Sequence, residues 1–558
     1  MRRFSERTYL IDAWVLGAFV FIPIAITPFM NFDAINLIKM MLLSIFGLGS
    51  IAFLFGESLV EISKKIVLWS VLGFNISLCL SALLNGSGLW PQFWGSQGRN
   101  SGILTLFSFS ILFLVASFKM KYSSAQKILY SIPLVGLVNI LYGLAQYLNK
   151  DPIDWQNPYS PIVGTLGNPN FISSHLGLVS AGCVLLIFQL WVQKSPRRIL
   201  LSLFLLLETL LGLFVIWKSL SIQGLLVFSI VLATSLFFCL IVFVRSKFLS
   251  IMLGFIGLSV ASVIATGFYG RGPLSATLYR ESFVHRSNFW EAGMNMLIDR
   301  PLSGVGIDQF GDFYRAYRSL YAVQLRGPAV TTDSAHNIPI DIASGGGVLP
   351  LTFYILVQLL TLGCGIWMIR KMQKIDLVKV GIFSLWLGYQ AQTLISINQI
   401  GVSIWGWILG GLVVALCSNT LFSKSSSQAQ TRGIRDSNFG GKVTLFAVIG
   451  LIFSLTPMLQ DQNFRKALAT RNGVKIISAS MSRPINPFYL NYAAALLNSN
   501  GYTDKALELS KKAVAINPKN YVGWRSIMDM SDKGSPDYIK AVKALRELDP
   551  QNNQLPSL

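Results

Sequence analysis

Thirteen apolar runs dominate this chain, near 12–29, 34–55, 66–84, 102–118, 128–147, 171–192, 199–216, 221–244, 248–268, 346–369, 380–397, 401–417 and 443–459. Each is close to the length at which a helix crosses a bilayer. Backbone inside hydrocarbon must satisfy its own hydrogen bonds, so such runs predict an all-α, polytopic integral membrane protein. Composition agrees: 53% of the 558 residues are hydrophobic and only 13% are charged, about half the charged share of a soluble domain. The few charges must sit between the runs.

Their placement gives the chain a direction. With the N-terminus (Arg2, Arg3, Arg7) in the cytoplasm, it and the loops on its side carry twenty-one Lys and Arg, while the short loops opposite carry only Arg99, Lys150 and Lys218. That bias is the one expected of cytoplasmic loops. An odd number of spans then carries the C-terminal region to the outer side. The expected organisation is a membrane domain over 1–442 with a large outer loop at 269–345 and a Ser-rich cytoplasmic linker at 418–442. A final span at 443–459 follows, then an extracytoplasmic domain at 460–558.

Several other readings fall away. The net charge of +21 suggests nucleic acid, but binders of nucleic acid gather Lys and Arg on a soluble face, and here the cations punctuate apolar segments. No nucleic-acid partner is expected. Cys79, Cys183, Cys239, Cys364 and Cys417 all lie within apolar runs, so none reads as a disulfide or metal ligand. The first run lacks a small-residue cleavage site and is not a signal peptide.

The tail carries Asn486-Pro487, Asn517-Pro518 and Asp549-Pro550, 31 and 32 residues apart. Helical patterns run between them, with a turn at Gly501-Tyr502. A helix pair closed by Asn/Asp-Pro at this period resembles a tetratricopeptide repeat; the alternative is an unrelated helical bundle. Either is read as a surface for a protein partner or for self-association.

The outer loop holds seven arginines (Arg271, Arg280, Arg286, Arg300, Arg315, Arg318, Arg326) and no lysine. Arginine's planar fork matches phosphate oxygens two at a time, so an Arg-only loop beside membrane lipids suggests an anionic ligand. The alternative is pairing with the loop's own Glu281, Glu291, Asp299, Asp308, Asp312 and Asp333. Arg286 and Trp290 are four apart on a short helical pattern stopped by Pro301. Phe310, Phe313, Tyr314, Tyr317 and Tyr321 form an aromatic stripe whose bland reading is packing. Ser303-Gly304-Val305-Gly306 is a turn without the strand–helix context of a nucleotide loop. His336, in Asp333-Ser-Ala-His-Asn337, lies where the loop re-enters the membrane and has the chemistry of a general base; His285 and His175 read as structural. On the same side, the amides of Asn168 and Asn170 suit either a sugar or a helix cap. Glu208, an acid centred in a span, is functional by default.

Four stretches in order resemble the O-antigen ligase and polymerase superfamily: Gly98-Arg99 with Gly102, Gly164 to Asn170, Arg286 to Phe310, and His336-Asn337 running to Gly347. The resemblance covers about 90 to 420, and a tetratricopeptide-like tail occurs on many such proteins. It implies a glycosyltransferase of the bacterial cytoplasmic (inner) membrane, using a polyprenyl-diphosphate-linked glycan as donor and a glycan, lipid or protein as acceptor. Arg99 and Arg286 would hold the diphosphate and His336 would help activate the acceptor hydroxyl. Asn168, Asn170, Trp290, Asn337 and Gln223 would be the further substrate contacts. No cofactor, nucleotide or metal is expected. Three positions depart from the pattern: Ser160-Pro161-Ile162-Val163 and Ser221-Ile222-Gln223-Gly224 lack arginines that many relatives have, and Gly345 stands where an acid is often found. The competing classes are a transporter or flippase of lipid-linked glycans, which would show repeat halves and sites at the midplane, and an inactive scaffold presenting the tail.

Overall fold

The computed structural model describes residues 2–55, 62–155, 157, 160–278, 281–421 and 439–557. About 75% of it is helix, and no strand occurs among the described residues. A helix underlies each of the thirteen apolar runs. Among the described residues, nine helices are long and apolar enough to cross a membrane, while Thr8–Ile24 and Ile103–Lys119 are apolar but shorter. The chain is an all-helical, multi-pass membrane protein. Arg280 and residues 422–438 of the 418–442 linker lie outside the described residues.

Burial sorts the helices into a core and a lipid-facing ring. The Ile400–Ser418 segment is wholly buried and forms the central post. Trp405 on it stacks on Phe19 at 4.3 Å and donates its indole N–H to the Phe19 carbonyl at 2.9 Å. At the periphery, Leu200, Leu203, Leu207 and Leu210 of Arg198–Lys218 stand exposed, as do Phe243, Phe248 and Phe255 further along. A patch of that size is stable only where lipid replaces water.

Helix ends depart from the apolar runs for local reasons. The first helix stops at Ile24 rather than 29, because Pro23 and Pro28 interrupt the backbone ladder. Its freed carbonyls are taken by the buried Lys39 ammonium, which donates to Ile22, Pro23 and Ala25 at 3.1, 2.8 and 2.7 Å; a cation suits that end of a helix. The last apolar helix runs ten residues past its hydrophobic stretch, as Phe439–Ala469. At Gly450 it passes so close to the Ser44 carbonyl that a Cβ would lie 2.3 Å from it. Beyond the apolar part, its Asp461 accepts from the Phe32 and Asp33 amides at 2.5 and 3.1 Å and from the Tyr489 hydroxyl at 2.8 Å. The tail is thus tied to the turn at 32–33, between the first two membrane helices.

The tail itself is a run of helices: Gly473–Ser480, Pro487–Ser499, Thr503–Ile516, Tyr521–Met530 and Pro536–Leu548. Pro487–Ser499 packs on Thr503–Ile516, and Tyr521–Met530 on Pro536–Leu548. Asn517-Pro518 and Asp549-Pro550 each follow the second helix of a pair. Proline cannot continue a helix, and the residue before it resists the helical conformation.

The segments that the charge count assigns to the outer side all meet at one end of the bundle. The loop at 85–101, the turn at 168–170, the turn at 219–221, the 269–345 loop and the tail surround one space there.

Candidate functional site

That space is a cavity of about 2220 Å³. Its membrane-side wall is built on Glu281–Asp299, the helix expected to carry Arg286. One face of this helix buries Ala292 and Met296 against Phe310, Phe313 and Tyr314. Most of the aromatic stripe is therefore packing, and Tyr321 stands apart on the next helix, exposed. The face toward the cavity presents Arg286, 6% exposed, and Phe289.

His336 faces the same space from a rigid turn. Its φ of +54° lies in the left-handed region, which costs a non-glycine residue energy and persists only where its surroundings enforce it. Here they do. Ser334 Oγ accepts the His336 amide at 3.0 Å, and Asp341 accepts both Ser334 Oγ and the Ala335 amide at 2.7 Å. Asn337 Oδ1 caps Ile338–Gly346 through the Ile340 amide, while its Nδ2 donates to the Leu394 carbonyl at 3.0 Å. Although Gly345 replaces one expected acid, another, Asp341, stands behind the histidine turn. The next helix entry needs glycine: Val305 and Gly306 amides donate to the Ser344 and Gly345 carbonyls at 2.8 and 3.0 Å. A Cβ on Gly304 would sit 2.3 Å from the Gly345 oxygen.

Arg99 comes from the 85–101 loop, which Asp308 braces by accepting the Ser96 and Ser101 amides at 2.8 and 3.1 Å. The Arg99 fork grips Asp333, with Nε and Nη2 donating at 2.7 and 2.8 Å. Two of guanidinium's five N–H groups are used this way, leaving three for another partner.

The charges act on one another. Burial pulls His336 well below its usual value, and the Arg286 and Arg99 cations pull it further; Asp333 opposes them. His336 is accordingly a neutral imidazole at neutral pH. Burial also lowers Arg286 to about 10, which leaves it a cation there. Desolvation pushes Asp308 and Asp341 up to about 7, whereas the Arg99 pair holds Asp333 low.

Of the expected site residues, Arg99, Asn168, Asn170, Arg286 and His336 line this cavity, while Trp290, Asn337 and Gln223 do not. Asn168 Oδ1 caps Pro169–Val192 through the Asn170 amide at 2.9 Å, and Asn170 Oδ1 accepts from Ser221 Oγ at 2.7 Å. Trp290 packs on the aromatic cluster and Gln223 is buried at a helix start. The other loop arginines divide. Arg318 donates to both oxygens of Asp549 at 2.7 and 2.8 Å and to the carbonyls of Pro328 and Val330. Arg315 reaches Asp549 at 3.2 Å and lies 4.0 Å over the Tyr521 ring. These two hold the tail, through an acid in the tail and not one of the loop's own. Docked this way, the tail adds Asn486, Phe488, Asn491 and residues 516–522 to the lining of the cavity.

Residues 224–355 match the O-antigen ligase family model. No curated protein matches the chain. The O-antigen ligase match supports glycan transfer of the ligase or polymerase kind, with a lipid-linked glycan as substrate in a membrane. It contains Arg286 and His336 and begins one residue after Gln223. Arg99, Asn168, Asn170 and the tail lie outside the O-antigen ligase region and reach the cavity through the fold. Of three carboxylates important to the local geometry, Asp308 and Asp333 appear among the loop acids expected to pair with arginine, and Asp341 was missed. Asp341 gave the plainest signal, as a single charge in the otherwise apolar Ile338-Pro-Ile-Asp-Ile-Ala.

Proposed function

We propose that this chain transfers a glycan from a polyprenyl-diphosphate carrier to an acceptor hydroxyl at the outer face of a bacterial cytoplasmic membrane. The observation that carries the reading is that Arg286 and His336, both within the O-antigen ligase match, line one large cavity. In the reaction the acceptor oxygen bonds to the anomeric carbon as the bond from that carbon to the diphosphate oxygen breaks. The diphosphate leaves with the electron pair, and the acceptor proton passes to His336. Arg286 neutralises the charge that develops on the leaving oxygens, the role of a preorganised clamp. Arg99 contributes through its three remaining N–H groups, or wholly if the diphosphate displaces Asp333. Asn168 and Asn170 border the donor path, and their capping bonds fix the turn that presents them.

The reading is tested in cells. Removing the gene should make glycan-loaded carrier accumulate on the outer face. Wild-type protein should clear it, and Arg286→Ala at equal abundance should not. A carrier pool that stays unchanged without the protein would contradict the proposal, and accumulation confined to the inner face would point to a flippase instead.

A further inference from the structure

The tail, expected to present a surface for a protein partner or for self-association, also forms a wall of the cavity, and the two walls differ in chemistry. Arg99, Arg286, Arg300 and His336 line the membrane side. The tail side offers amides (Asn486, Asn491 and Asn520 among them), the rings of Phe488 and Tyr521, and the cations Arg483 and Lys519, without a carboxylate. At about 2220 Å³ the cavity far exceeds the roughly 300–1,000 Å³ of a site for one small molecule, so it accommodates several covalently joined units beside a diphosphate. The tail wall is also fixed in place. The side chain of Asp549 is 0% exposed within its arginine partners, Asn517 donates to Asp312 at 2.7 Å, and Asp461 ties the other end to the turn at 32–33. Asn486 Oδ1 caps Pro487–Ser499 through the Phe488 amide at 3.0 Å. No hydrogen bond from its Nδ2 is found among the described residues. Phe488 beside it is 37% exposed.

We propose that the C-terminal domain is the oligosaccharide-binding wall of the cavity, with Asn486 donating to sugar hydroxyls and Phe488 stacking on a sugar ring. Amides suit hydroxyls, and an aromatic face suits the C–H face of a pyranose. A wall without carboxylates admits neutral and acidic sugars alike. This deepens the proposed function and rests on it. The sugar chain is that of either the donor or the acceptor, since both bring hydroxyl-rich rings to the same bond.

The test uses the full-length protein in lipid nanodiscs and two probes: oligosaccharide released by mild acid from the glycan-loaded carrier, and sugar-free polyprenyl diphosphate. Wild type should bind both. Asn486→Asp keeps the cap oxygen but loses the N–H donors. Combined with Phe488→Ala, it should weaken oligosaccharide binding about tenfold, the scale of one stacking contact plus one hydrogen bond, and leave sugar-free carrier within twofold. Arg286→Ala should show the reverse. Phe488→Tyr should restore the stacking share, and Asp549→Ala, which removes the tie to Arg315 and Arg318, should also weaken oligosaccharide binding. Saturating glycan-loaded carrier displaces the free oligosaccharide if the wall reads the donor and leaves it bound if it reads the acceptor. Equal oligosaccharide affinity in all variants, or none in wild type, overturns the proposal. Oligosaccharide binding that the wall variants lose, in a protein without transfer activity, would overturn the proposed function and leave this inference standing.

Discussion

Arg286→Lys should lose nearly as much turnover as Arg286→Ala. A clamp on a leaving diphosphate works by aiming two parallel N–H groups at two oxygens, and an ammonium keeps charge without that geometry. The site adds a second penalty. Burial lowers Arg286 to about 10; the same environment acting on a lysine, which starts lower, would favour its uncharged form. Loss of one well-placed clamp donor costs about 2.7–4 kcal/mol at the transition state, or roughly 10²–10³ in turnover. Steady-state rates for wild type, Arg286→Ala and Arg286→Lys at matched abundance check this. A lysine variant with near-normal turnover would mean that Arg286 acts as charge alone.

His336→Ala should lower turnover by about 10²–10⁴-fold, the usual scale of a general base, while donor affinity stays close to normal. The structure also moves the expected pH dependence. A histidine in water titrates near 6.5, but burial and the two arginine cations lower His336. Neutral imidazole is the form that accepts a proton, so the part of kcat/KM, which reports the free enzyme, that depends on His336 should show no inflection at pH 6.5. It should fall only at lower pH. Bound diphosphate brings negative charge beside His336 and neutralises Arg286, which favours the imidazolium. The inflection in kcat, which reports the loaded enzyme, should therefore lie at higher pH than that in kcat/KM. Coincident inflections would remove the arginine–histidine coupling from the account. Intact turnover in His336→Ala would remove the base.

Much of the fold was legible because lipid imposes a simple rule. A run that must satisfy its own backbone is a helix, and each of the thirteen runs lies over one. The helix bearing Arg286 was legible from periodicity and Pro301, and the stripe at Phe310–Tyr317 proved to be the packing its spacing suggested. What could not be read were partners far along the chain. Arg318 and Asp549 are 231 residues apart, and Arg99 and Asp333 are 234 apart; neither pair leaves a trace in local patterning. The arginine-rich loop accordingly looked more available to an anion than it is. The tail looked like a separate module because its Asn/Asp-Pro period is local, whereas its docking depends on contacts made far along the chain by Asp461, Asn517 and Asp549. Asn337 was picked as a neighbour of His336, but its two polar groups are committed to a helix cap and the Leu394 carbonyl.

The central claim, that Arg286 and His336 act together on a lipid-linked glycan, is tested most directly by single-turnover transfer in proteoliposomes holding purified protein, glycan-loaded carrier and a hydroxyl acceptor. The account predicts one glycosylated acceptor for each polyprenyl diphosphate released, and loss of both products in Arg286→Ala and in His336→Ala. Redistribution of intact glycan-loaded carrier between leaflets without either product would contradict it.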